Sequence, residues 1–221
     1  MAGFMGRNSG GWVRLSTQEV SGVSTLAFEN EWQSASGMAR KGQYFREDID
    51  IFRFQIINLE MGTNHATLCW QINRDTSTGG VYPPGNPDTG FNDSEFLTAA
   101  CQFWNSGNSS GAMGYTPDSD LIDEDDPIYL AREVKAHGTT SGSTAGGHLT
   151  IWNGHMAWRG ISYSSDMASI SDNGAVHFES AGSTDTISVG TLDGVQFSTT
   201  SGTFSGKFVL YGLGEGGKNI H

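Results

Sequence analysis

The chain has 221 residues, 36% of them hydrophobic and only 16% charged, with 31 glycines and a formal net charge of −12. A surface that tracks nucleic-acid phosphates or an anionic bilayer needs the opposite sign, so neither partner is expected. Six Trp, twelve Phe and six Tyr argue against a disordered chain, since so large an apolar load has no use without a core.

Read in chain order, Met1 to Trp12 is a glycine-rich arm with Phe4, Met5 and Trp12 as apolar beads. It has no apolar segment of the secretory type, and no run in the chain is long and apolar enough to span a bilayer. A domain is expected over residues 20–213, with residues 1–19 as the arm and 214–221 as a short tail. Phe52, Phe54 and Ile56 alternate with polar neighbours. Ala66, Leu68, Trp70 and Ile72 alternate more cleanly still. A period of two marks half-buried strands. Ile128 to Val134, Leu149 to Ile151, Trp158 to Tyr163, Val176 to Phe178, Ile187 to Val189, Val195 to Thr199 and Phe204 to Leu210 continue the series, mostly separated by Gly, Ser, Asn and Asp. Ser94 to Trp104 fits helix and strand equally. Thr76 to Asp93, which holds Tyr82, Pro83, Pro84 and Pro87, and His137 to Gly147 are expected to be long loops. Strand after strand without alternating helices implies an all-β fold, an antiparallel β-sandwich of jelly-roll-like kind with little helix. Phe52, Phe54, Leu68, Trp70, Ile151, Phe197, Phe208 and Leu210 are its expected core.

The motifs that could carry chemistry are weak. Gly107, Ser109 and Gly111 match the nucleophile-elbow pattern, which requires a helix after the serine; Ala112 to Pro117 cannot start one. Gly212, Gly214 and Gly217 imitate a dinucleotide-binding loop, which also requires a helix. The run Asp118, Asp120, Asp123, Glu124, Asp125 and Asp126 lacks the glycine and terminal glutamate of an EF-hand and reads as a solvated loop, with a cation as the sharper alternative. His65, His137, His148, His155, His177 and His221 show no metal-ligand spacing. Cys69 and Cys101 are too few for a disulfide framework and too far apart for a paired-cysteine zinc site. No catalytic residue, metal ligand or cofactor is therefore singled out, and the chain is not expected to be an enzyme.

The stretch Asp193-Gly194-Val195-Gln196-Phe197-Ser198-Thr199-Thr200-Ser201-Gly202-Thr203-Phe204-Ser205-Gly206-Lys207-Phe208-Val209-Leu210-Tyr211-Gly212-Leu213 resembles the closing hairpin of many virion proteins of tailed bacteriophages. Val20 to Phe28 is similar to their opening strand, and Asp50 to Leu59 and His65 to Asn73 to the two that follow. Gly146 to Asn153 is similar in outline to their Gly-x-Leu-x-Ile-x-Asn strand.

This resemblance implies a jelly-roll-like module, often trimeric, on the outside of a phage head or tail, and no catalytic residues. The absence of a fibrous shaft favours an outer capsid decoration or cement protein that stabilises the head lattice. A tail-associated module recognising host glycan or protein is the alternative. The implied partners are other virion proteins, the major capsid protein or tail proteins, together with further copies of the chain. It would be made in the host bacterial cytoplasm and end in the virion. A secreted carbohydrate-active domain is a third reading; an exposed platform built from Trp152, Trp158 and Tyr163 would favour it. Phe4, Met5, Trp12, Tyr82, Pro83 and Pro84 are the candidate subunit or capsid contacts. The arm is expected to order only by packing on a neighbour, because fixing its glycines costs roughly 1–2 kcal/mol per residue.

Overall fold

The computed structural model describes residues 11–29, 44–45, 49–75, 96–105, 111–115, 127–134, 144–152, 161–171, 174–184 and 191–214. They form twelve strands: β1 (Val13–Val23), β2 (Thr25–Glu29), β3 (Ile51–Met61), β4 (Ala66–Asp75), β5 (Phe96–Asn105), β6 (Gly111–Tyr115), β7 (Ile128–Val134), β8 (Ala145–Trp152), β9 (Ser162–Ser171), β10 (Gly174–Thr184), β11 (Thr191–Thr199) and β12 (Phe204–Leu213). There is no helix among the described residues.

Every pairing is antiparallel. The large sheet has the order β1-β12-β3-β8-β9-β10-β5-β6 and the small one β2-β11-β4-β7. Pairing β1 with β12, β2 with β11, β3 with β8 and β4 with β7 makes one long antiparallel ribbon that wraps into two facing four-stranded sheets. That winding is a jelly roll. The remaining strands, β9-β10 and β5-β6, extend the large sheet beyond β8.

The alternation seen in the sequence selects the face that points inward. All eight expected core residues are fully buried. Phe28, Phe54, Phe197 and Phe208 link the two sheets, with ring centroids 5.2 Å apart for Phe28–Phe54 and for Phe54–Phe197, and 5.0 Å for Phe197–Phe208. Farther along the interior, Trp70 of β4 packs edge-on against Tyr163 of β9 at 4.9 Å. On the same inward face, the opposed hydroxyls of Ser165 and Ser180 satisfy each other at 2.7 Å, as burial requires.

Three chain segments change sheets side by side, between β1 and β2, β3 and β4, and β11 and β12. Their corners are stitched together. Gly62 N–H donates to the Thr203 carbonyl at 2.7 Å and Thr200 N–H to the Thr67 carbonyl at 3.1 Å. Thr67 N–H donates to Thr200 Oγ1, and Gly22 N–H to Ser205 Oγ, both at 3.0 Å. Gly202, at φ +70°, sits against Thr63; a Cβ there would collide with Thr63 Oγ1.

Several expectations are refined. Ser94 to Trp104, equally helix or strand by pattern, is strand over Phe96–Asn105, because β10 supplies backbone partners along its whole length. Residues 193–213 are not a hairpin, because β11 and β12 lie in different sheets and the Ser201-Gly202 turn is a corner between them. β1 starts at Val13, inside the stretch read as the arm. The strand expected over Trp158 to Tyr163 runs from Ser162 to Ser171. Ile187 to Val189, Thr76 to Asp93 and Asp118 to Asp126 lie outside the described residues.

Candidate functional site: the outer face of the large sheet

The inward face of β12, β3, β8, β9 and β10 is lined by buried residues, so the chemistry that these strands offer a partner lies on their outer face. Directly opposed residues in an antiparallel pair project from the same face. The register therefore draws two outward rows across the sheet. The first runs Arg14–Tyr211–Arg53–Thr150–Ser164 across β1, β12, β3, β8 and β9. The second runs Gln55–His148–Asp166–Glu179–Cys101 across β3, β8, β9, β10 and β5.

Trp12 is the expected contact residue that falls within the described structure. Its ring lies over the Arg53 guanidinium, 4.6 Å from centroid to Cζ, and it remains 38% exposed. Arg53 is held in turn, since its Nε donates to Thr150 Oγ1 at 3.1 Å. Trp12 is thus anchored on its own sheet through a cation–π contact, and only its free side remains for a neighbour. Trp152, half-buried at the end of β8 and opposite Ile51, lies diagonal to Arg53 on the same face. Phe4, Met5, Tyr82, Pro83 and Pro84 lie outside the described residues, as does Trp158. Tyr163 is no part of an aromatic platform, being buried against Trp70.

The second row carries a cluster for which no sequence motif spoke. His177 lies two residues before Glu179 on β10, and a strand returns to the same face at that interval. Its Nε2 is 3.0 Å from Asp166 Oδ1 and 3.4 Å from Glu179 Oε1. Protonated at Nε2, the imidazole donates to Asp166 Oδ1, and Glu179 Oε1 lies within ion-pairing distance of the same nitrogen. One ligand atom from each of the three side chains lies within 4.8 Å of the others. All three are open to solvent, with side-chain exposures of 42% for His177, 47% for Asp166 and 51% for Glu179. Two carboxylates this close could suggest glycoside hydrolysis, which uses such pairs. Here the imidazole stands between them and engages both.

No sequence motif links these three, because Asp166 and His177 are 11 positions apart and meet only across the β9–β10 pairing. The usable signal was Asn173-Gly174, a strong hairpin dipeptide. A two-residue turn on that dipeptide would set Asp166 opposite Ala181; the register that sets it opposite Glu179 pairs Ser171 with Gly174 and comes from the structure alone.

The other motifs fall away in the fold. Gly111 opens a strand rather than a helix, so the nucleophile-elbow geometry is not built after it. Gly212 lies inside β12, packed on Ile49. Cys69 and Cys101 are free thiols, the first buried and the second partly exposed. Burial pushes the Cys69 thiol up to about 12.

The fold defines a class, the antiparallel jelly-roll β-sandwich with an extended sheet. No protein-family model, no curated protein and no solved structure matches the chain.

Proposed function

We propose that this chain is a non-enzymatic structural protein of a tailed-bacteriophage particle, acting as an outer capsid decoration protein. The observation that carries the proposal is the stretch 193–213. It bears the resemblance to phage virion proteins, and it supplies β11 and β12, which lie next to the edge strands β2 and β1 in the two sheets. The jelly roll is a fold used by viral capsid and lectin domains, which fits this reading by analogy of fold.

Decoration stabilises by mass action. A module that binds only the assembled lattice adds about 2.7 kcal/mol per site at a free concentration of 100 times Kd. The Gly-rich arm ahead of Trp12 is suited to such binding, because it leaves from a residue already anchored on Arg53. A neighbouring copy or the major capsid protein would bury Phe4 and Met5, with trimers as the favoured assembly.

One observation favours the alternative, a tail module that recognises a host surface. Trp12, Arg53 and Trp152 share one outer face, and aromatic side chains beside a guanidinium suit a polar, ring-bearing ligand.

Antibody raised against the purified chain, applied to virions that carry its gene, separates these readings by immuno-electron microscopy. Labelling spread over the head supports decoration. Labelling confined to the tail favours the alternative. Absence of the protein from purified virions by mass spectrometry overturns both.

A further inference from the structure

We propose that Asp166, His177 and Glu179 form a surface binding site for a zinc-type transition-metal ion on the outer face of the β9–β10 hairpin. The donors are one imidazole nitrogen and two carboxylate oxygens. Zinc accepts both donor types, whereas calcium and magnesium sites are built from oxygen alone.

The spacing fits the ion. Donors at about 2.0–2.1 Å from a tetrahedral zinc lie roughly 3.3 Å from one another. The two edges that meet at His177 Nε2 measure 3.0 Å, to Asp166, and 3.4 Å, to Glu179. The third edge needs only a carboxylate rotation, since all three donor atoms lie within 4.8 Å. An ion would therefore take the position at Nε2 that the hydrogen bond to Asp166 occupies, with the imidazole proton carried on Nδ1.

The scaffold is well suited to hold such a site. The three Cα positions are fixed by adjacent strands paired without a register shift from Gly174↔Ser171 to Ser183↔Ser162. Ligands mounted on paired strands are placed more closely than ligands on loops. Three protein donors leave a fourth position facing solvent, as in zinc sites that keep an exchangeable water. The same row places His148 opposite Asp166 and Cys101 opposite Glu179, so the cluster is flanked on both sides by further side chains of zinc-ligand type.

The test uses the full, untagged chain titrated with Zn2+ by calorimetry, with millimolar Mg2+ present to occupy non-specific acidic sites. The expected result is saturable binding of one ion per chain and a melting temperature that rises with free Zn2+ and falls back with a chelator. Asp166→Asn, His177→Ala and Glu179→Gln should each weaken binding at least about tenfold, since even partners outside the first coordination sphere are worth 10–100-fold. His65→Asn removes an imidazole elsewhere while tolerating that residue's positive φ of 59°, and should bind as the parent does. All three ligand side chains are exposed, so the variants should fold; circular dichroism melts without metal check this. Zn2+ binding that is absent, displaced by Mg2+, or unchanged in the three ligand variants overturns the proposal.

Discussion

At Cys69 burial has a consequence that pH can read. The thiol lies on β4, and its Sγ–H points to the Thr67 carbonyl at 3.8 Å. Desolvation raises its pKa from 9.0 to about 12. A folded-state value above the unfolded one means that the thiol's contribution is fully present below pH 9 and is lost as pH climbs from 9 towards 12. The unfolded state ionises first in that window. The expected loss is on the order of 1 kcal/mol by pH 10. Urea melts at pH 8 and pH 10 should show it, and Cys69→Ala should remove it from the difference between the two. Thiol reagents at pH 8 should modify the partly exposed Cys101 and spare Cys69 in the folded protein. If Cys69 is labelled at the same rate, it is not buried in solution. A second residue-scale expectation concerns the aromatic bridge. Phe197→Ala removes a ring in contact with Phe28, Phe54 and Phe208, and should cost about 3–5 kcal/mol, measured by denaturant midpoint at constant slope.

Among the elements, the sheet-switching corners are the most constrained. Gly202→Ala places a methyl where Thr63 Oγ1 stands, at a backbone conformation that L side chains rarely adopt. A loss of about 1–3 kcal/mol is expected. The double variant Gly202→Ala/Thr63→Ala should recover the steric part and leave the backbone part. Full recovery would mean that the φ value does not matter; no recovery would mean that the clash does not. Legibility at this scale depended on what faces each strand. β3, β4 and β12 were readable because one face carries large apolar residues and the other mostly small or polar ones, even where, as at Thr67 and Cys69, that second face is also covered. β5 was ambiguous because apolar residues recur at both periods, and only pairing to β10 decides between them. β9, with the sequence Ser-Tyr-Ser-Ser-Asp-Met-Ala-Ser-Ile-Ser, was poorly legible because serines fill inward positions as well as outward ones; Ser165 and Ser169 are buried.

For the whole molecule, winding a ribbon so that β1 pairs with β12 joins the two ends of the domain, and few contacts are local. Loop-closure entropy must be lost before those contacts form, so refolding should be slow, in the ms–s range or longer, with one main equilibrium transition. Stopped-flow fluorescence of the tryptophans would measure it; microsecond refolding would contradict the topology. Deletion of residues 1–11 should leave monomer melting nearly unchanged while abolishing particle binding. Lost monomer stability with normal particle binding would sink the arm's proposed role.

By itself the sequence determined that this is an all-β sandwich and which face of its clearest strands joins the core, because period-two patterning and burial are local consequences of a strand with one dry face. It also determined the sign of the surface, which follows from counting charges. Only the tertiary structure decided that residues 193–213 divide between two sheets, that Trp12 rests on Arg53, and that Asp166 meets His177 and Glu179. Each of these depends on which strand lies beside which and in what register, and register is set by the packing of the whole core rather than by any residue's neighbours along the chain.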